Sequence, residues 1–404
     1  MVVGTLEQVF RREWPRMLAT LIKFTGSIEL AEDSLQEALL RASGVRDRAL
    51  LINPGAWLTT VAKRIAIDTV RRDAALRRKL PLLAADEPVA VVEESPGVDD
   101  RLGLLIVACH PALTAETRLA LALRFVCGVP TIEIADAMLA SPSAMGARLS
   151  RAKRQIEREG IRFTVPEEAD GGARIDDVLA TVHLLYTVGH TAFEGEQLGS
   201  RSVAATAIEL ARALHALRPD DREATGLLAL LLLTDARAAT RTDDGGAIVT
   251  LEYAARQKWD LERIDEGLGL AAEALRGGGR FALEAGISGL HSSAPSWDAT
   301  DWEAVCALYN RLVESWPSPP ALLARLIARS FVDLGLRAAL EELDKLEPSL
   351  TGSTARQAVA VRADLLRPLG RVDEARDAYI RARSHERNGP VRDYFGRRAD
   401  ELGG

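Results

Sequence analysis

The residues best placed to do chemistry in this 404-residue chain are arginines, and their chemistry is binding to phosphates and base edges rather than making bonds. In the stretch 131–154, TIEIADAMLASPSAMGARLSRAKR, helical spacing puts Ser143, Ala147, Ser150, Arg151 and Arg154 on one outward face, with Ala144 and Arg148 on its flank. Small residues permit close approach to a groove, and guanidinium groups grip phosphate or read guanine. A second set lies upstream, where Trp57, Thr60, Arg64, Asp68 and Arg71 fall together on a helix with Lys63 and Arg72 nearby. Cations that follow a backbone and a ring that stacks on an unpaired base are the mixture that holds single-stranded nucleic acid. Each set also has a plainer reading, a solvated basic face for the first and a core-anchoring Trp57 for the second. A third set, Asp33, Gln36, Glu37 and Leu40, is acidic with one leucine; it suits a protein-docking surface and is also what an ordinary solvated face contains.

No Ser/His/Asp, HExxH or phosphate-loop pattern occurs, so no enzyme is expected. Cys109, Cys127 and Cys306 form neither a CxxC nor an even framework, which argues against zinc and disulfides. His190 stands alone, and adjacent Cys109 and His110 are poorly placed to share a metal, so all three read as packing residues. The pair Asp243 and Asp244 with two following glycines is a turn without the rest of a calcium loop. The reading therefore assigns no metal and no cofactor.

The elements that must position these residues are helices. Ser141 can cap a helix that Pro142 begins, and Met145, Leu149, Ala152 and Ile156 form its packing face against Ile134, Ala135, Met138 and Leu139 of a preceding short helix. The result looks like a helix-turn-helix. Gly146 inside the second helix costs roughly 1 kcal/mol relative to Ala. Upstream, residues 5–24 carry a broad apolar stripe with Pro15 as an expected kink. Residues 29–42 follow with Ala31, Leu35, Ala38 and Leu39 inward, and residues 56–79 with Leu58, Ala62, Ile65 and Thr69 inward. Residues 100–127 read as two helices broken near His110 and Pro111; their Arg118 and Arg124 could meet phosphates or a partner.

Aromatics make up 5% of the chain and strand-like alternation is scarce, so the class is all-α, with two or more domains expected at this length. Net charge is -7, unevenly placed: residues 1–160 hold 22 Lys and Arg against 20 Asp and Glu, the remainder 29 against 38. The first part can meet nucleic acid, and the second would repel it. Residues 80–100 carry three prolines and six acids without sustained periodicity, an acidic linker. The apolar run at 227–233 is too short to span a membrane, and the N-terminus lacks a long apolar stretch, which fits a cytoplasmic protein with no membrane partner.

The order of these pieces resembles the extracytoplasmic-function class of bacterial sigma-70 factors. The strings that carry it are AEDSLQEALLRA, NPGAWLTTVAKRIAIDTVRR, the run from DDRLGLLIVACHPALT to RLSRAKRQI, and GIRFTVP. Further on, LLYTVGHTAFEG, LRPDDREATGLLALLLLTDARAATR, SSAPSWDATDWEAVCALYNRLVESWPSP and RADLLRPLGRVDEARDAYIRA are similar to the long tetratricopeptide-like extension of some of these factors. Pairs at Ala304/Leu308, Ala339/Leu343 and Ala375/Tyr379 recur about every 35 residues, the period of stacked helix pairs.

The resemblance implies a sigma region 2 over 1–79, an acidic linker at 80–100, a sigma region 4 over 101–162 and a helical regulatory domain over 170–404. It implies that Asp33, Gln36, Glu37 and Leu40 dock core RNA polymerase, and that Trp57, Thr60, Lys63, Arg64, Asp68, Arg71 and Arg72 open and bind a single-stranded -10 element. The loop from Asp73 to Lys79 would lie near a flipped base. Ser143, Ala144, Met145, Ala147, Arg148, Arg151 and Arg154 would face duplex -35 DNA, although Met145 also belongs to the packing face. The extension would regulate these modules in cis, with a further protein or ligand as its partner. A one-component helix-turn-helix regulator with a helical sensor domain is the alternative reading.

Overall fold

The computed structural model describes residues 2–43, 53–79, 100–138, 140–160, 172–192, 195–332 and 334–403. The stretch expected to be an acidic linker lies outside the described residues except for Asp100, which starts a helix. Among the described residues the chain is all-α, with 18 α-helices and no strand. It divides into two compact units, Met1–Leu185 and Tyr186–Gly404.

The N-terminal unit starts with α1 (Val2–Thr25), α2 (Ile28–Ser43) and α3 (Pro54–Lys79), which pack on one another. Met17, Leu18, Leu21, Ile22, Leu35 and Leu58 are buried between them. α1 runs through Pro15 as one helix. α3 continues to Lys79, so the loop expected at 73–79 is helical; AALRRK consists of good helix formers, and nothing in it stops the helix.

Next come α4 (Asp100–Ala108), α5 (Ala115–Phe125), α6 (Thr131–Ala137) and α7 (Pro142–Glu159). α4 is buried from Leu102 to Ala108, and α1 packs against both α4 and α5. α6 and α7 form the helix-turn-helix. Ser141 Oγ accepts from the Ala144 N–H at 3.2 Å, Pro142 occupies the first turn, and Met145, Leu149, Ala152 and Ile156 are buried, as their spacing requires.

α8 (Gly172–His190) carries the division between the units. The C-terminal unit continues with α9 (Arg201–Leu217), α10 (Arg222–Asp235), α11 (Leu261–Ala274), α12 (Arg280–Ser293), α13 (Trp302–Ser315), α14 (Pro319–Ser330), α15 (Gly335–Leu346), α16 (Gly352–Leu366), α17 (Val372–His385) and α18 (Gly389–Asp400). From α9 onward each helix packs on the next, and α10 lies against both α11 and α12. That explains the apolar run at 227–233: Leu227, Leu228, Leu231, Leu232 and Leu233 are all interior. No described helix is long and apolar enough to cross a membrane.

The recurring pairs sit on α13, α15 and α17. Ala339, Leu343, Ala375 and Tyr379 are fully buried, whereas Ala304 and Leu308 are half-exposed and Val305 and Leu312 form the inner face of α13 instead. Trp302 stacks on Phe331 at 4.2 Å between ring centres, with Trp297 edge-on to Trp302 at 4.8 Å, so these tryptophans pack at helix junctions. Arg280 lies 3.7 Å over the Trp316 ring.

Candidate nucleic-acid interface

Three faces divide α7. Its packing face holds Met145, which is fully buried; of the residues assigned to the -35 surface it alone points inward. The outward face carries Ser143, Ala144, Ala147, Arg151 and Arg154, all exposed, with Arg148 half-exposed. Arg154 donates to Ser150 Oγ at 2.8 Å, and Ser143 Oγ lies 3.1 Å from the capping Ser141 Oγ. Arg148 and Arg151 make no side-chain hydrogen bond to another described residue, so their guanidinium groups are available to phosphate or base. A Cβ at Gly146 would meet nothing within 4 Å. No packing requirement among the described residues explains that glycine.

The third face of α7 went unread in the sequence. Lys153 reaches across to Glu32 of α2 at 3.0 Å, and Glu32 also pairs with Arg124 of α5. Burial alone would raise the Glu32 carboxyl, but the two cations and their hydrogen bonds hold it below the ordinary carboxylate range. One turn on, Glu157 Oε1 accepts from Ser27 Oγ at 3.0 Å and from the backbone N–H groups of Ile28 at 2.6 Å and Glu29 at 3.2 Å. A carboxylate of α7 thus caps the positive end of α2. Arg124 further stacks 4.8 Å over Trp14, whose Nε1 donates to the Arg124 carbonyl at 2.8 Å. Gly128, at φ +64, would place any Cβ 3.3 Å from the same indole. Arg118 pairs with Asp177 and donates to the His110 carbonyl at 3.3 Å. Arg118 and Arg124 are therefore internal ties, and the expectation that they touch phosphates is corrected.

On α2, Asp33, Gln36 and Leu40 are exposed and Glu37 is half-exposed, paired with Arg41 at 2.8 Å. Leu40 is 69% exposed. Partial burial raises the Asp33 carboxyl, with Lys153 opposing. On α3, Thr60, Arg64, Asp68, Arg71 and Arg72 are exposed, and Trp57 and Lys63 are half-buried. Trp57 therefore presents part of its ring while anchoring the helix start. Lys63 Nζ sits 5.4 Å from the centre of the Phe24 ring, and Phe24 is 47% exposed, a second aromatic on this surface that no helical wheel of α3 could reveal. Arg72 bonds back to the Asp68 carbonyl and to Thr69 Oγ1, both at 3.3 Å, while the side chains of Arg64 and Arg71 bond to no described residue.

The chain thus sets an acidic helix, a helix bearing cations and a half-buried tryptophan, and a helix-turn-helix with outward arginines in that order. Residues 9–75 match the family described as Sigma-70 region 2, and residues 103–156 the one described as Sigma-70, region 4. Residues 174–275 match a family of unknown function, DUF6596. The chain belongs to the family of Uncharacterized protein R00370 of Rhizobium meliloti (strain 1021), to which it is 35% identical over 398 residues, 96% of this chain and 93% of that one. It is also similar to ECF RNA polymerase sigma factor SigJ of Mycobacterium tuberculosis, at 31% identity over 151 residues, 35% of this chain and 46% of that one. No solved structure matches.

Proposed function

We propose that this protein is a sigma factor of the extracytoplasmic-function group, acting in the cytoplasm, that brings core RNA polymerase to particular promoters. In this reading residues 1–79 form region 2, residues 101–162 form region 4 and residues 170–404 are a tetratricopeptide-like domain that regulates them in cis. The observation that carries it is the unpaired basic face of α7, Arg148 and Arg151 beside exposed Ser143, Ala144 and Ala147, within a chain that also matches region 2. Arg154 extends that face along the duplex -35 element, and Met145 supports it from below. Trp57, Thr60, Lys63, Arg64, Asp68, Arg71 and Arg72 take the single-stranded -10 element, where stacking and phosphate contacts reward melting. Asp33, Gln36, Glu37 and Leu40 dock the polymerase. Nucleotide addition belongs to the polymerase, so the chain itself needs no catalytic residue and no cofactor.

Run-off transcription with purified core polymerase on the DNA upstream of the protein's own gene and on promoter libraries tests the reading. Promoter-specific transcripts that need the protein are expected; duplex binding without initiation would overturn it in favour of a one-component regulator. Equal transcription by the full chain and by residues 1–162 under all conditions would remove the regulatory role of the C-terminal domain.

A further inference from the structure

The C-terminal unit holds a half-open cavity of about 900 Å³ that the sigma reading leaves without a task. That volume lies at the upper end of what small-molecule sites offer. One wall is apolar and aromatic: Trp297, Ile327, Phe331 and Leu336, from the α12–α13 connection, α14 and α15. Trp297 meets Phe331 edge to face at 5.7 Å, and Phe331 is still 48% exposed. The lining also carries Asp364 and Arg367 around the end of α16, Arg397 and Arg398 on α18, and the carboxylates Glu252 and Glu401.

Only part of this charge is paired within the lining. Asp364 accepts from the Tyr379 phenol at 2.5 Å, and Glu401 accepts from Arg398 Nη1 at 2.8 Å. These two carboxylates are engaged and a third, Glu252, is exposed, while the side chains of Arg367 and Arg397 donate to no described residue. Asp364 opens onto the cavity, where desolvation raises its carboxyl while the Tyr379 hydrogen bond, Arg398 and Arg367 oppose the shift.

We propose that this cavity binds a small organic carboxylate with an apolar or aromatic body. The carboxylate would lie against Arg367 and Arg397, whose planar forks match its two oxygens, and the body against Trp297, Phe331 and Ile327. Acetate offers the anion without the body, and an uncharged alcohol offers the body without the anion, so neither offers both. This inference goes beyond the sigma reading and stands on the cavity alone, so its test reads binding and not transcription.

Isothermal titration of the full-length protein with 2-naphthoate, 2-naphthalenemethanol and acetate decides it. One 2-naphthoate per chain is expected, bound at least about tenfold more tightly than the alcohol, since charge-assisted hydrogen bonds supply that much. Acetate should give no measurable heat. Arg367→Gln and Arg397→Gln are each expected to weaken naphthoate and leave the alcohol unchanged, while Ile327→Trp, which adds bulk among the apolar lining residues, should weaken both. Equal affinity for naphthoate and alcohol, no binding of either, or unchanged naphthoate affinity in both arginine variants would overturn the proposal. Thermal melting monitors folding, and if Arg367→Gln fails to fold, the exposed Arg397 decides alone.

Discussion

Single residues in this chain separate by where their polar atoms end. Arg148 and Arg151 end in solvent, Arg124 ends on Glu32, and Met145 ends in the core, although all four lie in the region 4 match. Replacing Arg148 or Arg151 by Gln should therefore weaken duplex binding. If the arginine holds phosphate, the loss is uniform across sequences and the salt slope falls by about 1; if it reads a base, discrimination at one position falls by about 1–3 kcal/mol. Fluorescence anisotropy on a promoter library at several salt concentrations distinguishes these. Met145→Leu should leave both quantities unchanged. In the C-terminal unit, desolvation and then Arg241 and Arg237 hold His190 at about 3, while desolvation, Arg237 and Arg256 hold His291 at about 4. Both sit below the usual histidine value, so the unfolded chain takes up their protons first, and stability is lost as pH falls from about 6.5 towards 4. Calorimetric unfolding over that window should show a net uptake of about two protons that the double variant His190→Asn, His291→Asn lacks.

At the scale of the element, α7 shows what a helical pattern can and cannot tell. Its core face, its Ser141 cap and its outward arginines follow from spacing alone, because burial repeats with the helical period and a cap is a local hydrogen bond. Lys153 and Glu157 were invisible because a wheel gives the direction of a charged side chain and not its partner, and Glu32 lies 121 residues away from Lys153 in sequence. The one usable signal was that Glu32 sits beside the apolar stripe of Ala31, Leu35 and Ala38, an expensive place for an unpaired carboxylate. The cavity of the C-terminal unit was illegible for the same reason: α14, α16 and α18 contribute to it from separate pairs. Two substitutions test the reading of α7 and α2. Glu157→Gln removes the charged cap of α2 and should cost about 1 kcal/mol in urea unfolding of the N-terminal unit. Gly146→Ala, at a position with open space, should stabilise α7 by about 0.5–1 kcal/mol. Weaker DNA binding by Gly146→Ala despite that gain would mean that the backbone itself approaches the groove.

If the N-terminal unit binds both promoter elements as proposed, the contact between α2 and α7 conflicts with binding them at once. Sites named for positions 35 and 10 base pairs upstream lie roughly 85 Å apart at 3.4 Å per base pair. Lys153 on α7 and Glu32 on α2 are 3.0 Å apart. The 20 residues between Lys79 and Asp100 can span at most roughly 70 Å when fully extended, enough to separate the modules only if the Glu32 ion pairs and the Glu157 cap are given up. Glu32 is the hinge of that choice, since its removal strands two cations in a buried place, a loss of about 3 kcal/mol for a broken buried pair. Glu32→Gln should therefore lengthen the distance between spin labels placed at the exposed positions Gln36 and Arg151 by tens of Å, measured by pulsed electron resonance in the full chain. The wild type should follow on acidification. Because the Glu32 carboxyl is held below its ordinary value, it stabilises the packed form above the carboxylate range and ceases to do so as pH falls through its lowered pKa. A label distance that stays short in Glu32→Gln would show that the apolar contacts of α1 with α4 and α5 hold the unit closed without the buried charges, and that opening must be driven by polymerase or DNA.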